Sequence, residues 1–471
     1  MLNWKARIWL LTLLAGGLQV TAAPVSDWGC FYSQDGAAGF DPGWTAVGPV
    51  LEHSRGGGVV LDAVRPFYTR ETDGRGRTVT DVLWPVATMR KWGNDSDWRF
   101  LTAVGHDDDA GDPAGAYRAW FLPFFFFGRN RAGEDYGAVF PLGGRIEGWY
   151  GRDEVSFILF PLYARSRLKD METHHVLWPL LSRTTGDAVY QARFFPFYGY
   201  SRRGDMMERT FILWPVWNRV KDCKPGASGG GFMLFPFGGH VKMGDQETWM
   251  LLPPFFRHTR TREGTAGACP WPLVQWQQGK SRKLYVWPLY GRRTSEGDNV
   301  SFWAWPLVWK GRTQRDGVQR DRFRVFPVYS QEVLRKADQS GTAVADRYVS
   351  VWPLVSYRQS GSNTTWRMMD LWPFRDTPAI ERNLAPWWTV YDRRRTGEGT
   401  SGRLLWGLAR WSTRKDGEVY RSLFPLGAMR RDRQGDRYRE WEFLKGAAGY
   451  RRDESGRSYR LLYFLRWRSG P

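Results

Sequence analysis

A short apolar segment built around proline recurs about every nineteen residues, and no other feature constrains the fold as tightly. Copies include Phe160-Pro161-Leu162-Tyr163, Trp178-Pro179-Leu180, Phe195-Pro196-Phe197-Tyr198, Trp214-Pro215-Val216-Trp217, Trp287-Pro288-Leu289-Tyr290 and Phe424-Pro425-Leu426. The 359 residues from Pro66 to Pro425 hold nineteen steps, a mean spacing of 18.9. Phe100-Leu101-Thr102-Ala103 and Leu405-Trp406-Gly407 keep the pattern without proline, and degenerate copies at 443–445 and 461–464 bring the count to 22 units. A fixed period of this length marks a repeat architecture.

Polar turn signals separate the copies: Arg203-Gly204-Asp205, Met243-Gly244-Asp245, Glu296-Gly297-Asp298 and Asp316-Gly317. Glycine and aspartate next to each other supply the positive φ that tight hairpins need. Composition agrees with strands and turns. Aromatic residues make up 16% of the chain, with 53 Gly and 27 Pro, and no helix-favouring Ala/Glu/Leu/Lys run appears. The reading is all-β: an antiparallel meander of about 22 strands, each of roughly 12–14 residues with the proline near its centre.

Alternation sorts each unit onto two faces. Phe157, Leu159, Pro161 and Tyr163 fall on one, apolar throughout with aromatics at its margins; Ile158, Phe160, Leu162 and Ala164 fall on the other. An apolar band between aromatic girdles suits a large outer-membrane-type barrel. The aligned prolines oppose that reading, because each removes a ladder donor. The alternative makes proline a corner, so that hairpins stack as a soluble repeat or a two-layer sheet.

Three segments are expected. Residues 1–22 read as a signal peptide, with Lys5 and Arg7 before an apolar stretch from Ile8 to Val20 and small residues at the cleavage site. Residues 23–60 are a Gly-rich lead-in, and 61–471 form a single β-repeat domain. Export places the protein in the outer membrane or, in the alternative, in the periplasm or at the cell surface. The net charge of +20 falls to +18 when Lys5 and Arg7 leave with the signal.

Chemistry is sparse. The six histidines show no HExxH or paired-ligand spacing, and no GxSxG, P-loop or paired catalytic carboxylate emerges. The chain reads as a non-enzyme without cofactor or metal, and the acidic run His106–Asp112 reads as a solvated loop. Arginine clusters do stand out: Arg292 and Arg293, then Arg393, Arg394 and Arg395, are candidates for binding anionic lipid or glycan. An exported chain has no call for nucleic acid as a partner. Cys223 and Cys269 fall in turns that a 22-strand meander places at one end of the sheet, which makes them a disulfide candidate.

The aromatic-Pro-Leu units resemble exported repeat proteins of Gram-negative bacteria, over nearly all of the chain after the signal. That resemblance implies a compartment and an architecture, and it carries over no activity and no functional residue. The expected function is an exported envelope protein, an outer-membrane-type barrel with a structural, transport or binding role. The alternative is a soluble repeat protein that binds anionic glycan or lipid.

Overall fold

The computed structural model describes residues 28–34, 43–109, 112–224, 229–338, 341–375, 377–432, 438–454 and 456–470, so the expected signal at 1–22 lies outside the described residues. The chain is an all-β antiparallel meander of 45 strands, from β1 (Tyr32–Gln34) to β45 (Leu465–Ser469). Among the described residues, helix is confined to single turns and to two short pieces, α1 (Pro378–Asn383) and α2 (Ala385–Trp388). No described helix is long and apolar enough to cross a membrane.

The strand count is about twice the expected 22, and the reason lies in the proline. Most units hold two strands, the exceptions being those at Pro373 and Pro386, where irregular chain and the two short helices stand in for strands. β15 (Tyr163–Leu168) pairs with β16 (Met171–Val176) across the polar turn Lys169-Asp170. β16 then pairs with β17 (Leu181–Gly186) across Leu177-Trp178-Pro179-Leu180. The Leu180 amide donates to the Leu177 carbonyl at 2.8 Å, and the Trp178–Pro179 bond is cis, which makes a type VI turn. A residue without an N–H fits this position and would break a central ladder. The expected strands centred on proline are therefore replaced by proline turns, close to the corner reading. The copies without proline, at 101–103, 405–407, 444–446 and 462–464, are turns as well.

All proline turns lie along one edge of the meander and the polar turns along the other. Neighbouring proline turns are bonded to each other: the Leu177 amide donates to the Leu162 carbonyl at 2.7 Å and the Trp178 amide to the Pro161 carbonyl at 2.8 Å. From Phe67 to Met369 the turns thus continue the ladder as a row. The sheet is open, so the expected barrel closure does not form.

The chain divides into two compact units. One is Val64–Thr389; the other joins the described residues of Met1–Ala63 to Val390–Pro471. In the first, a buried polar clasp ties the early strands to α1. Arg382 donates to the Asp81 carboxylate through Nε at 3.0 Å and Nη2 at 2.6 Å, and Asn383 donates to it at 2.7 Å. Thr69 donates to Asn383 and Arg65 to the Arg382 carbonyl, each at 2.8 Å. A small apolar core of Phe126, Ala138, Ile146, Phe157 and Ala164 packs under Trp149 in the same unit. In the second unit the N-terminal segment seats on the turn row. Phe31 meets Phe424 edge-on at 5.8 Å, and Lys445 stands over the Phe424 ring at 5.4 Å.

Candidate functional site

The first residue of many proline turns has a positive φ, and in most of these it is leucine. Leu83, Leu159, Leu177, Leu213 and Leu252 have φ between 45° and 51°, and Ala304 has 44°. Glycine adopts this region freely, whereas a branched side chain costs about 1–2 kcal/mol there. Burial within the chain does not repay that cost, for Leu159 is 53% exposed and Leu213 51%. Their neighbours Trp178, Trp214, Leu162 and Phe197 are half exposed too. The edge is thus a continuous apolar row that the fold presents at a cost to itself.

Strand register extends this row into a gradient on one face, here the first face. The level next to the turns is apolar: Ile158, Tyr163, Val176, Leu181, Phe194 and Tyr198 are successive cross-strand partners. Two residues further along each strand, about 6.6 Å away, the level mixes cations with aromatics. Arg165, His174 and Arg183 are partners in one stretch, and Arg219, Phe232, His240, Trp249 and His258 in another. His240 stacks on Trp249 at 4.0 Å between ring centres. The third level carries both signs: Arg167 pairs with Glu154 at 2.8 Å, and Arg202 lies opposite Glu208. Beyond it come the polar turns.

A cleft of about 520 Å³ opens on the first face beside the longest strands. Its walls include Tyr290, Trp303 and Phe323, with Arg292, Lys310 and Arg312 between them. Arg312 donates to Asp321 at 2.7 Å and Arg335 shares that carboxylate. Burial opposes ionisation of Asp321, but bonds from Arg312, Gln319 and Arg335 hold its pKa below the usual carboxylate value. Arg292 and Lys310 have no carboxylate partner among the described residues, which leaves two cations facing the cleft.

The structure separates the arginines that the sequence grouped. Arg292 and Arg293 are neighbours on one strand and so point to opposite faces; Arg292 lines the cleft and Arg293 does not. Arg393, Arg394 and Arg395 are exposed on Tyr391–Thr396, in the other compact unit. Cys223 and Cys269 are free and lie at opposite edges, Cys223 by a polar turn and Cys269 by a proline turn. Five strands separate them where the 22-strand count gave an even number, so the two turns cannot share an end. The acidic run read as a loop is mostly strand, Val104–Asp109, and Asp107 and Asp109 pair with Arg118 and Arg131. Sequence reasoning missed the positive-φ leucines, although leucine two residues before proline recurs at 83, 159, 177, 213 and 252. No protein-family model matches the chain, and no curated protein matches it either.

Proposed function

We propose that this chain is an exported β-repeat protein of the cell envelope that binds lipid along its proline-turn edge, lying on one leaflet and not crossing the bilayer. The observation that carries this reading is the row of half-exposed leucines held at positive φ. Strained residues kept at a surface point to a use for that surface, and a contiguous apolar patch rimmed by polar groups marks a partner site. The levels below it fit the same partner: leucine and tryptophan at the acyl chains, aromatics and basic side chains at the headgroups, ion pairs in water. The net charge of +20, or +18 once Lys5 and Arg7 leave with the signal, favours an anionic leaflet. Apart from the strands between Val308 and Val351, the strands have at most six residues, shorter than the roughly 9–11 that a spanning strand needs.

The cleft favours a narrower second reading, in which Arg292 and Lys310 take an acidic glycan between aromatic walls. Vesicle flotation separates the two. A chain carrying Leu159→Gly, Leu177→Gly, Leu213→Gly and Leu252→Gly relieves the turns, so its thermal midpoint stays level or rises. Its partition onto phosphatidylglycerol vesicles should fall about a thousandfold or more, since each leucine buried in lipid contributes about 1.5–3 kcal/mol and about 1.4 kcal/mol is tenfold. Unchanged flotation in a folded variant would sink the lipid reading; loss of acidic-glycan binding in Lys310→Gln alone would favour the second.

A further inference from the structure

The face opposite the lipid gradient, the second face, carries a charge pattern of its own. On the first face cations meet carboxylates at the third level. On the second face, from Gln246 to Val325, the strand positions hold one acid, Asp298, which lies 3.8 Å from Arg315. Arg320 and Arg322 reach Glu332 of the next strand at 3.5 and 3.4 Å. Arg257, Lys283, Arg293 and Arg324 have no carboxylate partner among the described residues.

Three of these four gather within five consecutive strands. Lys283 and Arg293 are direct cross-strand partners. Register carries the same level through Gln277 and Ala266 to Thr259, two residues from Arg257 on its strand. The Lys283 ammonium is fixed: it donates to Gln275 Oε1 at 2.7 Å and stands 4.5 Å over the Tyr285 ring. Arg293, with Thr259, Ala266 and Gln277, lines a cleft of about 480 Å³, bordered at the polar edge by Glu263 and Glu296. Burial, then the charges of Arg293 and Arg257, hold the Lys283 pKa below the usual lysine value. Like charges kept together without a carboxylate repel one another, and an anion placed among them removes that repulsion. Guanidinium groups and an ammonium, with amide donors beside them, match the oxygens of a phosphate group.

We propose that the second face, where Lys283 and Arg293 are cross-strand partners and Arg257 lies three strands further on, is a binding site for a phosphate-bearing anion. The site is independent of the lipid edge, because it lies on the other face and needs no bilayer. Two sources present this chemistry, a soluble sugar phosphate and a phospholipid headgroup.

Titration calorimetry of the chain with glucosamine-1-phosphate tests the first, and flotation with phosphatidic acid vesicles tests the second. Lys283→Met and Arg293→Gln should each weaken saturable binding about tenfold, as loss of one charged hydrogen bond implies. Arg282→Gln, next to Lys283 along the chain but on the first face, should leave it unchanged. Circular dichroism and the thermal midpoint establish that each variant is folded. Saturable binding of the soluble sugar phosphate supports a diffusible ligand. Vesicle capture lost in Lys283→Met, yet kept in the leucine-to-glycine variant, supports a headgroup. Binding of neither probe, or equal losses in Arg282→Gln and Lys283→Met, overturns the proposal without touching the lipid edge.

Discussion

The two edges of the meander pose the same backbone problem and meet it with different residues. At the polar edge most positive-φ positions hold glycine or a polar residue, among them Gly204, Gly244, Gly297, Gly317, Asp316 and Lys169, with the exposed Tyr150 an exception. Glycine is unstrained there, and a polar side chain is at least wetted. At the proline edge the same region of φ is filled by Leu83, Leu159, Leu177, Leu213 and Leu252. A chain shaped by stability alone would place glycine at both edges. The proline edge holds strained apolar residues where the polar edge holds mostly glycine or polar ones, a difference that supports the proposed lipid contact.

The most forceful way to break this comparison is to charge one edge at a time. Leu159→Asp, Leu177→Asp and Leu213→Asp together should lower vesicle partition about a hundredfold or more, given about 1.5–3 kcal/mol for each leucine buried. The fold should survive, because aspartate tolerates positive φ better than leucine does. Met206→Asp with Ser281→Asp, at polar turns, should leave partition unaltered in the same flotation assay. If both sets of variants lose binding equally, the effect is general electrostatics and the edges do not differ.

Glycine offers a second, smaller contrast. On the second face the Phe211 ring lies over Gly199 and the Phe302 ring over Gly291, its direct cross-strand partner in each case. A β-carbon at Gly291 would stand 2.1 Å from the Phe302 ring, and one at Gly199 2.0 Å from Phe211. Gly291→Val should therefore cost about 1–3 kcal/mol through overpacking. Gly244, in a polar turn, has open space around it and a φ of +56°. Gly244→Ala should cost about 1 kcal/mol through the backbone alone. Urea midpoints of the two variants measure both. A Gly291→Val chain as stable as the parent would remove the ring-over-glycine packing from the account.

Much of this was legible in the sequence, and the rest failed for definable reasons. The period, the meander and the Gly-Asp turns follow from repeat spacing and turn chemistry, and the fold keeps them. The strand count went astray because Ile158 to Tyr163 reads as one apolar run, and alternation cannot tell a strand from a tight turn with apolar residues. Pro161 held the missing signal: a donor lost at the same point of every unit belongs at a turn. The cysteine placement inherited that error. The cleft was beyond reach, since Tyr290, Trp303, Lys310 and Phe323 meet only through a four-strand register. Arg292 was found by its charge, but the opposite orientations of Arg292 and Arg293 required knowing that both lie in one strand.

The smallest expected effect concerns the dry part of the second face. Tyr136 lies opposite Gly128 on the paired strand, where its ring and hydroxyl fill the space a side chain would take. It is 7% exposed. Burial pushes its phenol from 10.0 up to about 12, helped by Glu147 and opposed by Arg118. The proton is thus held more tightly in the folded chain than in the unfolded one. The stabilisation linked to it is complete below pH 10 and is lost as pH rises towards about 12. Phenolate absorbance should show a late-titrating group that Tyr136→Phe removes, and the variant's stability should fall less steeply over that interval. A Tyr136→Phe chain with the parent's titration curve would place the phenol in water. The contrast between an exposed proline edge and a dry second face would then fail at one of its most buried tyrosines.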